Sequence, residues 1–293
     1  MESELAVLAI SIVNYFSSSD LRACLDSLAS THNSDSALLA LVDNSEDDEE
    51  WKRVTRLAHE YSHRFVEIKA TKASRNLGFG AGHNLAIGSL TSQDYDHILI
   101  LNPDVTIIHG RISPASGTTG YLAGMEVMQR GRVTAGLSRM NVLTGATKRV
   151  LQPTQHRYEY PDGHCLLIDR RLWEDLQGFD EDYFLYCEEL DFVLRCYRRH
   201  GIRPRVLHGV RVEHIGGTST ESMFAKSTLT SFHANRSRVL LYRKHRLPRL
   251  ALAMMISLRV GLATLHFVTG KRAHASSVIR GIWEGITMRE ICS

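Results

Sequence analysis

The chain has 293 residues, of which 43% are hydrophobic and 23% are charged, with 21 Gly and 6 Pro. This composition excludes a disordered, collagen-like or low-complexity chain, and the length allows one large domain or one domain with an appendage. The five cysteines are scattered without a Cys-x-x-Cys pair, which indicates reduced thiols and not a disulfide framework or a zinc knuckle.

The net charge of the chain is only +3, but its positive charge is concentrated in a basic C-terminal region. Between residues 222 and 283 there are eleven Lys or Arg and no Asp or Glu, so the rest of the chain carries a net negative charge. A region of this kind indicates an anionic partner, which would be a membrane leaflet or a nucleic acid.

The first hundred residues alternate between strand and helix patterns. The apolar run at residues 5–13 is predicted to be a buried strand and not a signal peptide, because Glu2 and Glu4 precede it and no basic residue does. Ligands of open α/β sheets bind at the carboxyl ends of the strands, so polar clusters at three strand ends predict one binding edge. These clusters are Asn14, then Asp43 with Asn44, and then Asn102 to Asp104. Residues 107–150 show weak periodicity and are predicted to be mixed helix and loop.

A Gly-rich segment, residues 76–82, precedes a helix predicted to start near residues 83–84. Glycines let a backbone approach a ligand closely, and a helix N-terminus favours an anion such as pyrophosphate. The segment fits neither the Walker A pattern nor the dinucleotide fingerprint, and a tight turn would have the same composition.

Two interpretations of the sequence around Asp104 stay open. The run Asn102, Pro103 and Asp104 is good β-turn chemistry, and the turn is the commoner outcome. Alternatively, Asp104 is a ligand for a hard divalent cation that bridges substrate phosphates. His214 ends an apolar stretch, but with 15 histidines in the chain its position alone does not predict a site.

An acidic and aromatic segment at residues 178–191 carries candidate catalytic carboxylates. A helix is predicted to start near Glu188 and to stop at Gly201. Glu188 and Asp191 would then share one face, Asp191 would reach Arg195, and Glu189 would point elsewhere. Acidic residues in a first turn also complement the helix dipole, but a carboxylate among aromatic rings tends to have a raised pKa and can act as a base.

Seven motifs, in their order and spacing, resemble glycosyltransferase family two, and in particular its rhamnosyltransferase-like branch in bacterial surface polysaccharide (O-antigen type) synthesis. They lie between residues 7 and 219, at 12–15, 42–45, 76–82, 101–105, Gly163 in a predicted strand 162–168, 179–191 and 214–219. The resemblance implies the GT-A fold, an α/β class with a Rossmann-like mixed sheet flanked by helices. It divides the chain into a catalytic domain, 1–221, and a basic amphipathic helical region, 222–293.

The same resemblance implies an inverting transferase that uses a nucleotide-diphosphate sugar donor and a divalent metal, Mg²⁺ or Mn²⁺. Rhamnose is the first candidate sugar, and the acceptor is a lipid-linked or polysaccharide glycan. By position, Asp43 would contact the nucleoside, and Asp104 and His214 would bind the metal. Glu189 stands where the family usually has its catalytic Asp, so Glu189, Glu188 and Asp191 remain alternative bases. The other residues expected near the donor are Asn14, Asn76, Gly82, Asn84, Asn102 and Gly163.

The apolar stretch at residues 250–268 is interrupted by Arg259 and His266. An Arg at a bilayer centre costs ~2.5–3.5 kcal/mol, so an amphipathic helix on an anionic membrane surface is predicted, in a cytoplasmic protein bound to the inner face of the plasma membrane. The alternative is a helix packed on the catalytic domain with a solvated basic rim.

Two other function classes fit less well. A nucleotidyltransferase would need a Gly-rich, Arg-containing loop after the first strand, where residues 14–17 read Asn-Tyr-Phe-Ser. A nucleic-acid-binding protein would use the basic region, but no recognised binding motif accompanies it, so no nucleic-acid partner is expected.

Overall fold

The computed structural model describes residues 7–92, 94–112, 120–129, 131–214 and 223–288. The strands are β1 (Leu8–Asn14), β2 (Ala37–Asp43), β3 (Glu67–Lys72), β4 (His97–Leu101), β5 (Val105–His109), β6 (Leu122–Gln129), β7 (Arg132–Thr134), β8 (Leu137–Met140), β9 (Thr147–Val150), β10 (Glu159–Pro161), β11 (Cys165–Asp169) and β12 (Arg205–His214). The helices are α1 (Ser18–Ser30), α2 (Asp48–Glu60), α3 (Phe79–Ser89), α4 (Arg170–Asp175), α5 (Glu188–His200), α6 (Met223–Lys244), α7 (Arg249–Val268) and α8 (Arg272–Thr287), with a 3-10 turn at Ser62–Arg64.

A nine-stranded mixed sheet lies at the centre, in the order β3-β2-β1-β4-β11-β6-β12-β5, with β7 paired to β6. Strands β1 to β4 are parallel, β11 is antiparallel to β4 and to β6, and β12 is parallel to β6. The carboxyl ends of β1, β2, β4 and β12 therefore meet the beginnings of β5 and β11 at one edge of the sheet. We call this the site edge.

The strands alternate their side chains between two apolar layers. Ile10 and Ile12 pack with α1 and α2 on one face, and Ala9 packs with α3, α4 and α5 on the other. Because both faces are covered, β1, β2 and β4 are apolar along almost their whole length, as expected for buried parallel strands. The predicted α/β class with a mixed sheet flanked by helices is confirmed.

The prediction of mixed helix and loop at residues 107–150 is wrong. This part of the chain contributes β5 to β9, and β8 forms a second, three-stranded sheet with β9 and β10. Four of these five strands have three to five residues, which is too short to show a clear alternation, and β9 is largely exposed. Their conformation is set by pairing with strands that are distant in sequence, such as β10.

The basic C-terminal region forms α6, α7 and α8, and α6 packs on the acidic segment at residues 178–191. Lys244 contacts Asp180 and Asp182 at 2.5 Å each, and Arg236 donates to the Asp182 carbonyl at 3.0 Å. The acidic segment is thus one anionic partner of the basic region. The division of the chain near residue 221 stays a prediction, and residues 215–222 lie outside the described part.

Helix α7 differs from α6 because most of it is exposed. By length and composition alone α7 could cross a membrane, since the mean hydropathy of its most apolar stretch is 1.7. Only 17% of that stretch is buried inside the structure. Its buried side chains are those of Ala251, Met255 and Ala263. The exposed large apolar residues of α7 and α8 include Leu250, Met254, Leu258, Leu262, Leu265, Phe267, Val268, Ile279, Trp283 and Ile286.

Candidate active site

Asp104 and His214 meet at the site edge. The turn that closes β4 is formed by a hydrogen bond from the Val105 amide to the Asn102 carbonyl at 3.2 Å, so the run is a β-turn. A metal-binding role for Asp104 within this turn stays a prediction. Strand β12 pairs His214 with Val105, which brings the His214 Nε2 atom within 3.2 Å of Asp104 Oδ2. Each side chain is 17% exposed. Burial acts to raise the pKa of Asp104, but the hydrogen bond and charge of His214 outweigh it and leave that pKa lowered.

This pair offers one carboxylate oxygen and one imidazole nitrogen to a cation. Within the described residues, no group of three or more His, Cys, Asp or Glu side chains could hold a metal ion. Hard divalent cations in nucleotide enzymes are commonly held by one or two protein groups together with substrate phosphates, so a two-residue site fits that use. The residues present are therefore compatible with a metal ion whose remaining ligands come from a phosphorylated molecule.

The ends of β1 and β2 are joined by a buried polar network. Asn14 Nδ2 donates to Asp43 Oδ1 and to Glu50 Oε1, both at 3.0 Å. Glu50 also accepts from the backbone and hydroxyl of Ser18 at the start of α1, at 2.9 Å each. Ser45 Oγ donates to the second Asp43 oxygen at 2.9 Å. The predicted Asn14 and Asp43 are thus adjacent, and Glu50, which sequence reasoning missed, holds them in place.

The predicted start of the helix after the Gly-rich segment is wrong by about four residues. Helix α3 begins at Phe79, whose amide donates to the Phe184 carbonyl at 2.9 Å. Gly82 lies inside α3, where an added Cβ would be 3.0 Å from Val13, so this glycine lets the helix approach β1. The helix begins early because Gly78 takes the left-handed φ of 80° just before it.

Asn76 and Asn84 both organise the backbone around α3. Asn76 Oδ1 accepts from the Gly78 amide at 2.9 Å, which forms the turn into the helix. Asn84 exchanges two hydrogen bonds of 2.9 Å with the backbone of Phe179, at the start of the acidic segment. Asn84 therefore fixes the segment that carries the candidate carboxylates. The donor contact expected for Asn84 stays a prediction.

Glu189, at the start of α5, lies against Gly163. A Cβ added to Gly163 would be 1.8 Å from Glu189 Oε1, so a side chain at position 163 would collide with the carboxylate. Burial, assisted by the charge of Asp162, raises the pKa of Glu189 to about 7 against opposing backbone hydrogen bonds, one of them from Gly163. Tyr186 and Cys187 precede it with left-handed φ values of 71° and 75°, a strained conformation of the kind that clusters at functional sites.

The two neighbouring carboxylates lie in different surroundings. Glu188 is buried against Gly80 of α3, and burial together with the Glu189 charge holds its pKa well above the ordinary range. Asp191 accepts from Arg195 and from His245, each at 2.7 Å. Burial acts to raise the pKa of Asp191, but these two partners leave it lowered. The predicted helix start at Glu188, its stop at Gly201 and the contact between Asp191 and Arg195 are all confirmed.

A cavity of about 240 Å³ lies next to the Glu189 carboxylate. Its lining includes Glu189, Asp162, Gly163 and His164. The His164 ring stacks on His214 with ring centroids 4.4 Å apart and planes 9° apart. Burial and the nearby charge of His214 lower the pKa of His164 to about 3, so this ring is neutral. His164 thus lies between the Asp104 and His214 pair and the cavity of Glu189. The sequence analysis did not select His164, although it directly follows Gly163, which lies in one of the seven motifs.

A larger cavity, of about 770 Å³, is lined by Asp169 and Arg205 at the opposite end of β11 and β12. It contains none of the predicted site residues. The part of the resemblance that falls on residues 215–219 lies outside the described residues.

No family model matches the chain. The chain is 26% identical over 239 residues to a low-salt glycan biosynthesis hexosyltransferase, Agl10, of Haloferax volcanii, which covers 74% of this chain and 71% of that one. It is 26% identical over 161 residues to an N-acetylglucosaminyl-diphospho-decaprenol L-rhamnosyltransferase of Mycobacterium tuberculosis, covering 44% of this chain and 52% of that protein.

Solved structures show the same architecture. A mannosyltransferase of Pyrobaculum calidifontis in complex with GDP-Man and Mn²⁺ matches 98% of this chain and 89% of its own, with a TM-score of 0.56 at 13% identity. GalNAc-T7 with UDP, GalNAc and Mn²⁺ matches 83% of this chain and 48% of its own, with a TM-score of 0.58 at 14% identity.

The protein has the GT-A glycosyltransferase fold and resembles rhamnosyltransferases. The relatives support glycosyltransferase activity in glycan or polysaccharide biosynthesis. The prediction that the strand-end clusters form a ligand-binding edge stays a prediction.

Proposed function

We propose that this GT-A protein is an inverting glycosyltransferase that moves a sugar from a nucleotide diphosphate to a lipid-linked glycan. The observation that carries the proposal is the arrangement at the site edge. A carboxylate with a pKa of about 7, Glu189, lies in a cavity whose wall continues through His164 to the Asp104 and His214 pair. A base and a candidate cation site next to one another are what a single displacement of a diphosphate leaving group requires.

Glu189 is the base in this proposal. Its pKa near neutral pH suits proton removal from an acceptor hydroxyl, and Gly163 leaves the carboxylate room at the cavity. The hydroxyl oxygen then bonds to the anomeric carbon as the bond from that carbon to the diphosphate breaks, on the opposite face. Asp191 is occupied by Arg195 and His245, and Glu188 is buried against α3, so neither faces the cavity as Glu189 does.

Asp104 and His214 would hold a divalent cation, Mn²⁺ or Mg²⁺. When bound, such an ion supplies positive charge to the departing diphosphate. The complexes with Mn²⁺ among the structural neighbours support the assignment. The Asn14 and Asp43 network lies at the adjacent strand ends, and we assign the nucleoside to that part of the site edge. Rhamnose, from dTDP-rhamnose, is the first donor to test, on the similarity to rhamnosyltransferases.

We assign the exposed apolar face of α7 and α8 to the surface of a membrane. The exposed cations of these helices and their turns are Arg246, Arg249, Lys271, Arg272 and Arg280. At up to ~1 kcal/mol each near an anionic surface, five cations attract the protein by at most about 5 kcal/mol, roughly half of what eleven free cations would give. The acceptor of the mycobacterial relative carries a decaprenol chain, which supports a lipid-linked acceptor here.

The proposed function is tested by incubating the purified protein with nucleotide sugars, a sugar-diphospho-polyprenol and either Mn²⁺ or Mg²⁺. We expect donor consumption that requires the acceptor for full rate and falls by ~10² or more in Asp104→Ala. Asp35→Ala, an exposed acidic residue outside the site edge, is the matched control. If no donor is consumed, the transferase proposal is wrong; if chelation leaves the rate unchanged, the metal assignment alone is wrong.

A further inference from the structure

Two arginines share the cavity of Glu189. Arg149 comes from β9 of the small sheet, and Arg238 comes from α6, so elements nearly ninety residues apart bring both guanidinium groups to this one cavity. Neither residue belongs to the motifs that carried the family resemblance. With Asp162 and Glu189 on the same wall, the cavity is lined by two cationic and two acidic side chains.

The two arginines are held in different ways. Arg149 Nε is 3.8 Å from Asp162 Oδ2, a long ion pair, and burial raises the pKa of Asp162. Arg238 is held by carbonyl oxygens, donating to Gly145 at 2.9 Å and to Ala234 at 2.8 Å. Carbonyl partners fix the position of a guanidinium group without cancelling its charge, so Arg238 stays positive at a defined place.

A third cation, Arg259, interacts with Arg238 by charge repulsion. Arg259 of α7 is partly buried, its Nε makes no hydrogen bond within the described part of the chain, and burial together with the charge of Arg238 lowers its pKa. The turn between β8 and β9 lies against both Arg238 and α7, because a Cβ added to Gly145 would be 3.2 Å from Arg238 Cδ and 2.8 Å from Met255 Cγ of α7. The helix with the exposed apolar face therefore packs directly on the turn that holds Arg238.

We infer that Arg149 and Arg238 bind a phosphate group of the acceptor, next to the base, in the cavity lined by Glu189. This inference rests on the proposed function, because it takes Glu189 to face the acceptor hydroxyl. Guanidinium groups recognise phosphate oxygens with paired hydrogen bonds. At about 240 Å³ the cavity is smaller than the ~300–1,000 Å³ pockets of drug-sized ligands, so it takes the sugar and phosphate end of an acceptor while the lipid stays outside.

The test compares two soluble acceptors that carry the same sugar, a short-chain sugar diphosphate and an uncharged alkyl glycoside. The wild type is expected to have a KM at least ~10-fold lower for the diphosphate, the value of one or two charge-assisted hydrogen bonds. Arg149→Gln and Arg238→Gln are each expected to raise the KM for the diphosphate by ~10-fold and to shrink the ratio between the two acceptors. Lys148→Gln is the matched control, because Lys148 is exposed on β9 and does not line the cavity.

Calorimetric binding of the diphosphate acceptor, with nucleoside diphosphate saturating the donor site, separates this inference from the proposed function. Binding that depends on Arg149 and Arg238 without any sugar transfer would overturn the proposed function and support the phosphate site. Transfer with an equal KM for both acceptors, or with the same KM shift for both in the variants, would overturn the phosphate site. Anionic vesicles that carry no acceptor are a further arm. If these vesicles displace the soluble acceptor from the wild type, the two arginines bind phospholipid headgroups in general, and the assignment to the acceptor phosphate is wrong.

Discussion

A methyl group added to Gly163 tests whether the position of the Glu189 carboxylate controls catalysis. The added Cβ would be 1.8 Å from Glu189 Oε1, 2.8 Å from Cδ and 3.1 Å from Cγ. Since ordinary contacts of this kind are above 3 Å, the carboxylate must move by ~1 Å, and a displacement of that size can lower a rate by ~10². We therefore expect Gly163→Ala to reduce kcat by ~10², or about 2.7 kcal/mol of barrier.

The assay is steady-state transfer with saturating donor, combined with a melting curve. Gly88→Ala is the matched control, because an added Cβ there meets nothing within 4 Å. Glu189→Asp in the Gly163→Ala background shortens the side chain away from the added methyl group, so we expect it to recover part of the lost rate. If Gly163→Ala has a kcat within ~3-fold of the wild type, the carboxylate position is not what limits the reaction, and the reasoning is refuted.

Three further predictions follow from the described contacts. Burial raises the pKa of Glu189 to about 7, so the base loses its proton as the pH rises through 7. We therefore expect kcat/KM to rise with pH below 7 and to level off above it. A kcat/KM that is constant from pH 5.5 to 8 would contradict this. Asp191→Asn should lower the free energy of unfolding by ~3 kcal/mol in urea titrations, because it breaks the buried ion pair to Arg195 and disturbs the hydrogen bond to His245. A loss below ~1 kcal/mol would contradict the importance of these contacts. Leu250→Glu should weaken sedimentation with anionic vesicles, whereas Leu151→Glu, equally exposed at 74% but outside the basic C-terminal region, should not. Equal behaviour of the two variants would remove α7 from the membrane surface.

The sequence could predict those parts of the site edge that follow from strand direction. Asn14, Asp43 and Asp104 each follow an apolar run, and parallel strands bring their carboxyl ends together whatever the loops do. His214 could be placed beside Asp104 by resemblance, and the structure has them 3.2 Å apart. The start of α5 could also be predicted, because acidic residues in the first turn and Gly201 after the last are strong local signals.

Contacts between distant parts of the chain could not be predicted in this way. Lys244 reaches Asp180 across 64 residues, so a run of cations that indicated a free basic surface is partly paired inside the fold. The small sheet was missed because β8 and β9 have four residues each and depend on partners for their conformation. As Arg149 and Arg238 reach the Glu189 cavity only through that sheet and α6, their location was equally hidden.

The central claim is that Glu189 is the base of an inverting glycosyl transfer. The most direct measurement is the turnover of Glu189→Gln beside that of Glu188→Gln, with the donor dissociation constant determined for each. The account predicts that Glu189→Gln loses at least ~100-fold in kcat while the donor still binds, and that Glu188→Gln loses clearly less. The reverse ranking would move the base to Glu188, and near-normal turnover in both variants would contradict base catalysis by this pair.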